Sequence, residues 1–115
     1  MNLGAVLNVL GELPEAITAL RRGLQLDPKR AEAYYNLALV YRRQGENKLA
    51  VEAYRETIRV NPNMADAHLN LGNIYFQWED YEQALRCYRE ALRARPNWSK
   101  AIESLSQAER ALASE

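Results

Sequence analysis

Apolar residues along this chain recur at intervals of three and four, in pairs of blocks separated by short polar breaks. Such spacing is typical of amphipathic helices. In the middle of the chain the first block carries Tyr34, Leu37, Ala38 and Tyr41, and the second carries Leu49, Ala50, Ala53, Tyr54 and Ile58. Between them, Gly45 favours a helix end, because glycine readily adopts a positive φ. The pattern therefore predicts two helices joined by a tight turn.

The same pair of blocks recurs at an interval of 34 residues, which defines the repeat frame used below. Three sets of residues fall in register: Pro28, Pro62 and Pro96; Ala16, Ala50 and Ala84; Leu3, Leu37 and Leu71. Each proline is expected to end a unit, since it disfavours helical geometry in the preceding residue and lacks an N–H. A unit this short cannot bury a core alone, so the chain is expected to stack helix pairs and to offer an extended surface.

Several coordinated motifs in this frame resemble the tetratricopeptide repeat. They are Asn36-Leu37-Ala38-x-x-Tyr41 followed by Ala50, Tyr54 and Pro62, and Asn70-Leu71-Gly72-x-x-Tyr75 followed by Ala84, Tyr88, Ala91 and Pro96. The resemblance covers essentially the whole chain. It implies an all-α fold, a right-handed α-solenoid of about three helix pairs with a C-terminal capping helix. The single domain, 1–115, would comprise repeat 1 (1–30, truncated at its start), repeat 2 (31–64), repeat 3 (65–98) and the capping helix (99–115).

Two local features qualify this frame. Glu79 stands where the earlier units have Gly11 and Gly45, so the geometry of the third turn is an open question. The last helix is expected to start from an N-cap at Ser99 and to bury one apolar stripe, with a polar opposite face. That stripe consists of Ile102, Leu105, Ala108 and Leu112.

The amino-acid composition disfavours some classes of binding partner. Fifteen Lys and Arg balance fifteen Asp and Glu, so no overall field attracts nucleic acid or an anionic membrane, and neither is expected as a partner. The longest uncharged apolar run, residues 1–11, is too short to cross a bilayer. A lone cysteine, Cys87, excludes an internal disulfide, and no signal peptide is evident. A cytoplasmic setting is therefore expected.

No catalytic, metal or cofactor site is expected. His68 is the only histidine, and it takes the helix-packing place held by Tyr34 in the preceding unit, with no second ligand at a metal-binding spacing. Cys87 has neither an identifiable base nor a resolving cysteine beside it. A glycine-rich phosphate loop and a nucleophile elbow are both missing from the sequence. The chain is therefore predicted not to be an enzyme.

The resemblance implies that the first helices of the repeats line a concave groove, with Asn2, Asn36 and Asn70 in a row along it. A carboxamide donates and accepts at once, so such a row suits an extended peptide backbone. Whether these amides contact a ligand or only help to pack adjacent helices stays open. The neighbouring groove positions by helical phase are Tyr35, Leu39, Arg42, Arg43, Leu69, Asn73, Phe76 and Gln77.

One class of ligand is disfavoured by the same resemblance. Chaperone-binding members of the family use a carboxylate clamp of Lys and Asn on the first groove helix, Asn on the second, and Lys and Arg on the third. The corresponding residues here are Met1 and Ala5, then Asn36, then Asp66 and Asn70. Only Asn36 matches, so binding of the acidic C-terminal tails of heat-shock chaperones is not expected.

Three hypotheses of function remain. The leading one is a non-catalytic protein-interaction module that binds an extended peptide or a partner helix in the concave groove. The second is a self-assembling scaffold, a weak homo-oligomer that stacks through an open N-terminal edge formed by Leu3, Leu7 and Leu10. The third is the substrate-recruiting segment of a larger enzyme.

Overall fold

The computed structural model describes residues 13–26 and 30–114, and all regular structure in these ranges is helical. The helices are α1 Leu13–Leu26, α2 Ala31–Arg43, α3 Asn47–Val60, α4 Ala65–Gln77, α5 Tyr81–Ala94 and α6 Ser99–Ala113. The predicted all-α class is confirmed. None of these helices is long and apolar enough to cross a membrane.

The helices belong to two compact units, residues 1–62 and residues 63–115. In the first unit α2 packs against both α1 and α3. In the second unit α5 packs against both α4 and α6. Among the described residues, each unit therefore contains one complete helix pair, α2–α3 or α4–α5, with one further helix packed against it.

The α2–α3 pair is held by small and aromatic side chains. Ala38, Ala50 and Tyr54 are fully buried, as is the hydroxyl-bearing Thr57. The Thr57 Oγ1 donates to the carbonyl oxygen of Ala53 at 2.8 Å. Because its own helix satisfies this hydroxyl, a polar side chain is accommodated in the core without an unpaired group.

The α4–α5 pair makes a closer approach at Gly72. A Cβ at this position would lie 2.8 Å from the Tyr88 Cε1 atom and 3.0 Å from the Cys87 Cβ atom. Real Cβ atoms essentially never come as close as the first of these contacts, so only glycine fits without a shift of its neighbours. The corresponding residue of the first unit is Ala38, which is fully buried. The space available for a Cβ at this position of the repeat frame therefore differs between the two helix pairs.

Both pairs turn through the same helix-ending motif. Gly45 has a φ of 79°, and its N–H and that of Glu46 donate back to the carbonyls of Arg42 and Tyr41 at 3.0 and 2.8 Å. Glu79, with a φ of 63°, makes the same turn, its N–H and that of Asp80 donating at 2.9 Å each. These are the bonds of a Schellman motif. The missing glycine changes the energy of the turn and not its geometry, since a left-handed residue with a Cβ costs about 1–2 kcal/mol.

The last helix differs from the sequence-based expectation in two ways. Its N-cap is Trp98, without a side-chain cap hydrogen bond, so the predicted cap at Ser99 is wrong. Ala101 and Ala108 are fully buried, whereas Ile102 is 47% exposed. The predicted stripe is therefore corrected at Ile102: the small side chains of Ala101 and Ala108 are buried, and the bulkier side chain of Ile102 is left about half exposed.

Candidate functional site

The predicted binding residues of the first unit lie on the accessible side of α2. Tyr35, Asn36, Leu39 and Arg42 are half-buried, and Arg43 is exposed. The intervening residues Leu37, Ala38, Val40 and Tyr41 are buried. The amphipathic phase of α2 thus leaves a mixed surface of one aromatic, one amide, one aliphatic and two basic side chains.

Tyr35 is held in place from within its own unit. Its ring centroid lies 6.0 Å from that of Tyr54 on α3, with the rings tilted by 60°. An aromatic side chain that is already packed loses little rotamer freedom when a ligand contacts it. Tyr35 is therefore a preorganised apolar contact on the α2 surface.

The predicted residues of the second unit fall on α4, with one correction. Asn70, Asn73 and Phe76 are half-buried and Gln77 is exposed. Leu69 is 2% exposed, so it is a core residue and does not line a surface that a ligand could reach. Helical phase alone places Leu69 beside Asn70, but an aliphatic side chain at the edge of the polar face is readily drawn into the interior.

Two side chains of the α4 surface are oriented by α5. The Tyr88 hydroxyl donates to the Asn73 Oδ1 atom at 2.7 Å. The Phe76 ring meets the Tyr81 ring edge-on, with centroids 5.2 Å apart. The bond between Asn73 and Tyr88 leaves no signal in the sequence, because the two residues are fifteen apart and meet only once the helices pair.

The two surfaces differ in charge. The last turn of α2 carries Arg42 and Arg43, where the helix dipole also favours cations. The last turn of α4 has no basic residue, and its first turn carries the exposed Asp66. The α2 surface therefore favours an anionic group near its C-terminal end, whereas the α4 surface offers amide and aromatic contacts.

A matching ion pair recurs on the second helix of each helix pair, α3 and α5. Arg59 meets Glu56 at 2.9 Å, and Arg93 meets Glu90 at 2.7 Å, both with their side chains about half exposed. The hydrogen bond from Arg93 lowers the pKa of Glu90, and the positive charge of Arg93 acts in the same direction. Exposed pairs of this kind contribute little stability. The spacing of Glu and Arg three residues apart is the sequence signal for them.

A shallow cavity of about 170 Å³ lies between α2 and α3. It is lined by Tyr34, Leu37, Tyr41, Leu49, Glu52, Ala53 and Glu56. The cavity offers apolar walls and two carboxylates, and nothing resembling a catalytic constellation. Among the described residues there is also no cluster of His, Cys, Asp and Glu suited to a metal ion.

Four of the predicted residues lie outside the described ranges. They are Asn2 of the asparagine row and the N-terminal edge residues Leu3, Leu7 and Leu10. Asn36 and Asn70 are the members of the asparagine row that the structure describes.

The sequence matches known family patterns over most of its length. A family model described as "Tetratricopeptide repeat" matches residues 35–97, and a second, described as "TPR repeat", matches residues 4–45. No curated protein matches the chain.

Solved structures with the same fold cover nearly all of this chain. A crystal structure of MamA protein is 28% identical with a TM-score of 0.89, covering 96% of this chain and 61% of that one. The first TPR of Spaghetti (RPAP3), bound to the HSP90 peptide SRMEEVD, is 25% identical with a TM-score of 0.88, covering 96% and 87%. The Sgt2 TPR domain from Aspergillus fumigatus, at 23% identity and a TM-score of 0.85, shares the fold over 96% and 74%. This chain spans about three fifths of the MamA chain.

Proposed function

Because the chain belongs to the tetratricopeptide repeat family, we propose that it is a non-catalytic interaction module that binds an extended peptide or a partner helix along the first helices of its repeats. One observation carries the proposal. Asn36 on α2 and Asn70 on α4 occupy the same position in the repeat frame, and both are half-buried directly before a buried leucine. A ligand that reaches either helix meets an amide able to donate and to accept.

The amides by themselves give only weak binding. At about 0.5–1.5 kcal/mol net for each hydrogen bond, Asn36 and Asn70 contribute too little even for millimolar affinity, which needs about 4 kcal/mol. Tyr35 and Phe76 supply the apolar anchors, and both rings are already packed against aromatic neighbours. Affinity therefore depends on these rings, while the amides set the direction of the ligand backbone.

Asn73 adds a donor with a fixed orientation. Since its oxygen accepts from the Tyr88 hydroxyl at 2.7 Å, the amide plane is held before a ligand arrives. A peptide carbonyl that accepts from the Asn73 N–H groups would then lose less binding energy to side-chain ordering. This bond supports a role for Asn73 in ligand contact beside its role in joining α4 to α5.

The ligand differs from the peptide of the RPAP3 complex. The family's carboxylate clamp requires a lysine at the place of Asp66, which is exposed and of opposite charge. A peptide ending in acidic residues would be repelled there. We expect the peptide SRMEEVD to bind this chain no better than a scrambled peptide of the same composition.

The test is a screen of labelled peptide arrays followed by anisotropy titration of the best binder. Asn36→Ala and Asn70→Ala are each expected to weaken binding about three- to tenfold, the loss of one hydrogen bond. Asn97→Ala is the matched control, because it removes an exposed amide from the turn before α6. Unchanged affinity in the double variant, with the helical circular dichroism intact, would rule out the amide contacts.

A further inference from the structure

The cavity between α2 and α3 combines aromatic, aliphatic and acidic side chains. Tyrosines and leucines supply most of its apolar lining, and Glu52 and Glu56 on α3 are its charged groups. Its volume of about 170 Å³ is well below the roughly 300–1,000 Å³ of pockets that hold drug-sized ligands. The cavity therefore suits a single side chain. Both of its walls belong to helices that are preceded and followed by further helices, α1 and α4.

The two carboxylates of the cavity differ in their surroundings. They are four residues apart on α3, so they are neighbours on one face of the helix. Glu56 is half-buried and forms an ion pair with Arg59 at 2.9 Å. Glu52 is exposed, and within residues 13–26 and 30–114 it takes part in no ion pair. Glu52 therefore leaves a negative charge in the lining that no described cation balances by direct contact.

The aromatic wall of the cavity already holds a cation of this chain. Arg21 of α1 donates to the Tyr41 hydroxyl, and its guanidinium carbon lies 5.9 Å from the centroid of the Tyr41 ring. Positive groups are attracted to the face of an aromatic ring at this distance. Arg21 thus contacts Tyr41 and Arg59 contacts Glu56, which leaves Glu52 as the group in the lining that can bind one further cation.

The corresponding positions of the α4–α5 pair have the opposite character. Arg86 stands where α3 has Glu52, and Gln83 stands where it has Leu49. Glu90 keeps the place of Glu56 together with its ion pair to an arginine. A positive side chain has thus replaced the negative one that has no ion pair, so a cation is disfavoured at this place in the second unit. The α4–α5 pair therefore serves as an internal control for any cation that binds between α2 and α3.

We propose that the cavity between α2 and α3 binds a lysine side chain of a partner protein. The four-carbon stem lies against the apolar lining, and the ammonium group reaches Glu52 and Glu56. Lysine fits better than arginine, because a compact ammonium with three rotatable donors can bind two carboxylates on successive turns. The planar guanidinium of arginine is matched to a single carboxylate.

This site is distinct from the peptide-binding surface proposed above. At 3.6 residues per turn, the cavity residues of α2 point away from the side of the helix that carries Tyr35, Asn36 and Leu39. A partner could therefore place a lysine in the cavity without contact to the amide row, and the inference goes beyond the proposed function.

Three small probes test the proposal. The n-butylammonium ion reproduces the lysine side chain, 1-butanol is its uncharged counterpart, and n-propylguanidinium reproduces the arginine side chain. Each is titrated into the isotope-labelled full chain at constant ionic strength, and amide chemical shifts report both affinity and site. We expect n-butylammonium to bind about five- to tenfold more tightly than 1-butanol, and more tightly than n-propylguanidinium, with shifts concentrated on α2 and α3.

Two pairs of variants assign the binding to this cavity. Glu52→Gln is expected to weaken n-butylammonium about fivefold, whereas Glu103→Gln, the same change at an exposed glutamate of the other unit, leaves the affinity unchanged. Arg59→Gln releases Glu56 from its ion pair and should strengthen binding about two- to threefold. Arg93→Gln breaks the corresponding pair on α5 and should have no effect.

All four changes are at surface positions, and circular dichroism verifies that the helices are retained. Equal affinities for n-butylammonium and 1-butanol, or an unaffected Glu52→Gln variant, would overturn the proposal. So would shifts concentrated on α4 and α5. Tighter binding of n-propylguanidinium would overturn the choice of lysine.

Discussion

The helix pairs α2–α3 and α4–α5 share one residue frame but place glycine in opposite positions. The first pair has Ala38 at the closest approach and Gly45 in the turn, whereas the second has Gly72 at the approach and Glu79 in the turn. The first pair therefore has a relaxed turn, and the second has a tighter seam closed by Tyr88 together with a strained turn. The two pairs therefore keep the same backbone arrangement, although glycine occupies the turn in the first pair and the helix contact in the second.

The accessible surfaces of the two pairs differ at one position of the repeat frame. This position holds Leu39 in the first pair and Asn73 in the second. In the second pair Asn73 binds the Tyr88 hydroxyl, whereas in the first pair Tyr54 packs against the ring of Tyr35. The tyrosine of the second helix thus orients a polar side chain, Asn73, in one unit and an aromatic one, Tyr35, in the other. Repeats with a common core in this way present different accessible side chains.

The largest expected effect comes from Gly72→Ala. The added Cβ would lie 2.8 Å from the Tyr88 ring, so either the ring or α4 must move. This overpacking should lower the free energy of unfolding by about 1–3 kcal/mol, of which the better helix propensity of alanine restores about 1 kcal/mol. Chemical denaturation followed by circular dichroism measures the change. The matched variant Ala38→Gly should lose about 1 kcal/mol through helix propensity alone, apart from the lost methyl packing. A Gly72→Ala variant more stable than the parent by about 1 kcal/mol, the full gain in helix propensity, would mean that the contact between α4 and α5 is not tight.

The next effect concerns the bond between Asn73 and Tyr88. Asn73→Leu introduces the side chain of the first unit but deprives the Tyr88 hydroxyl of this acceptor, which should lower stability by about 1–2 kcal/mol. Thermal and urea unfolding measure the loss. The double variant Asn73→Leu with Tyr88→Phe removes both partners and should recover most of it. If the double variant were no more stable than the single one, the bond would not be the cause.

A smaller effect of opposite sign is expected at Glu79. Glu79→Gly removes the Cβ from a residue with left-handed backbone geometry, which relieves strain. Because glycine also loses more chain entropy on folding, the net gain in the free energy of unfolding should be about 0.5–1 kcal/mol. The reverse change, Gly45→Ala, should destabilise the first unit by a similar amount. Urea midpoints of the two variants, moving in opposite directions, would confirm that the turns differ in strain and not in shape.

The smallest effect is a dependence on pH. The pKa of Glu90 is lowered in the folded state, mainly by its hydrogen bond from Arg93, so the unfolded chain binds protons more readily. Its contribution to stability is complete above the ordinary glutamate pKa of about 4.3 and disappears as the pH falls through the lowered value. Glu90→Gln should therefore flatten the acid limb of a stability profile slightly. An unchanged profile would show that this exposed pair adds nothing measurable.

Much of the fold could be predicted from the spacing of particular residues. The helix pair around Gly45 follows from apolar intervals of three and four and from a glycine that accepts a positive φ, both of which are local properties. The repeat frame then predicts the second pair. The accessible positions of Asn36 and Asn70 on their helices also agree with helical phase.

Other features of the candidate site required the tertiary structure. Leu69 has the helical phase of a surface residue but is 2% exposed, and Ile102 belongs to an apolar stripe but is 47% exposed. Neither outcome can be obtained from one helix, because burial depends on which neighbouring helix approaches and how closely. The bond from Tyr88 to Asn73 likewise forms only when α4 and α5 pair.

By itself, the sequence determined the helices, their pairing and the family, because propensity, turn residues and a 34-residue period act along the chain. The tertiary structure decided which positions on each helix are covered. It closed the contact between α4 and α5 over Gly72, held Glu79 in a glycine's conformation and left Ile102 on α6 47% exposed. The physical reason is that side-chain volumes on two facing helices jointly set their separation, and neither helix alone carries that information.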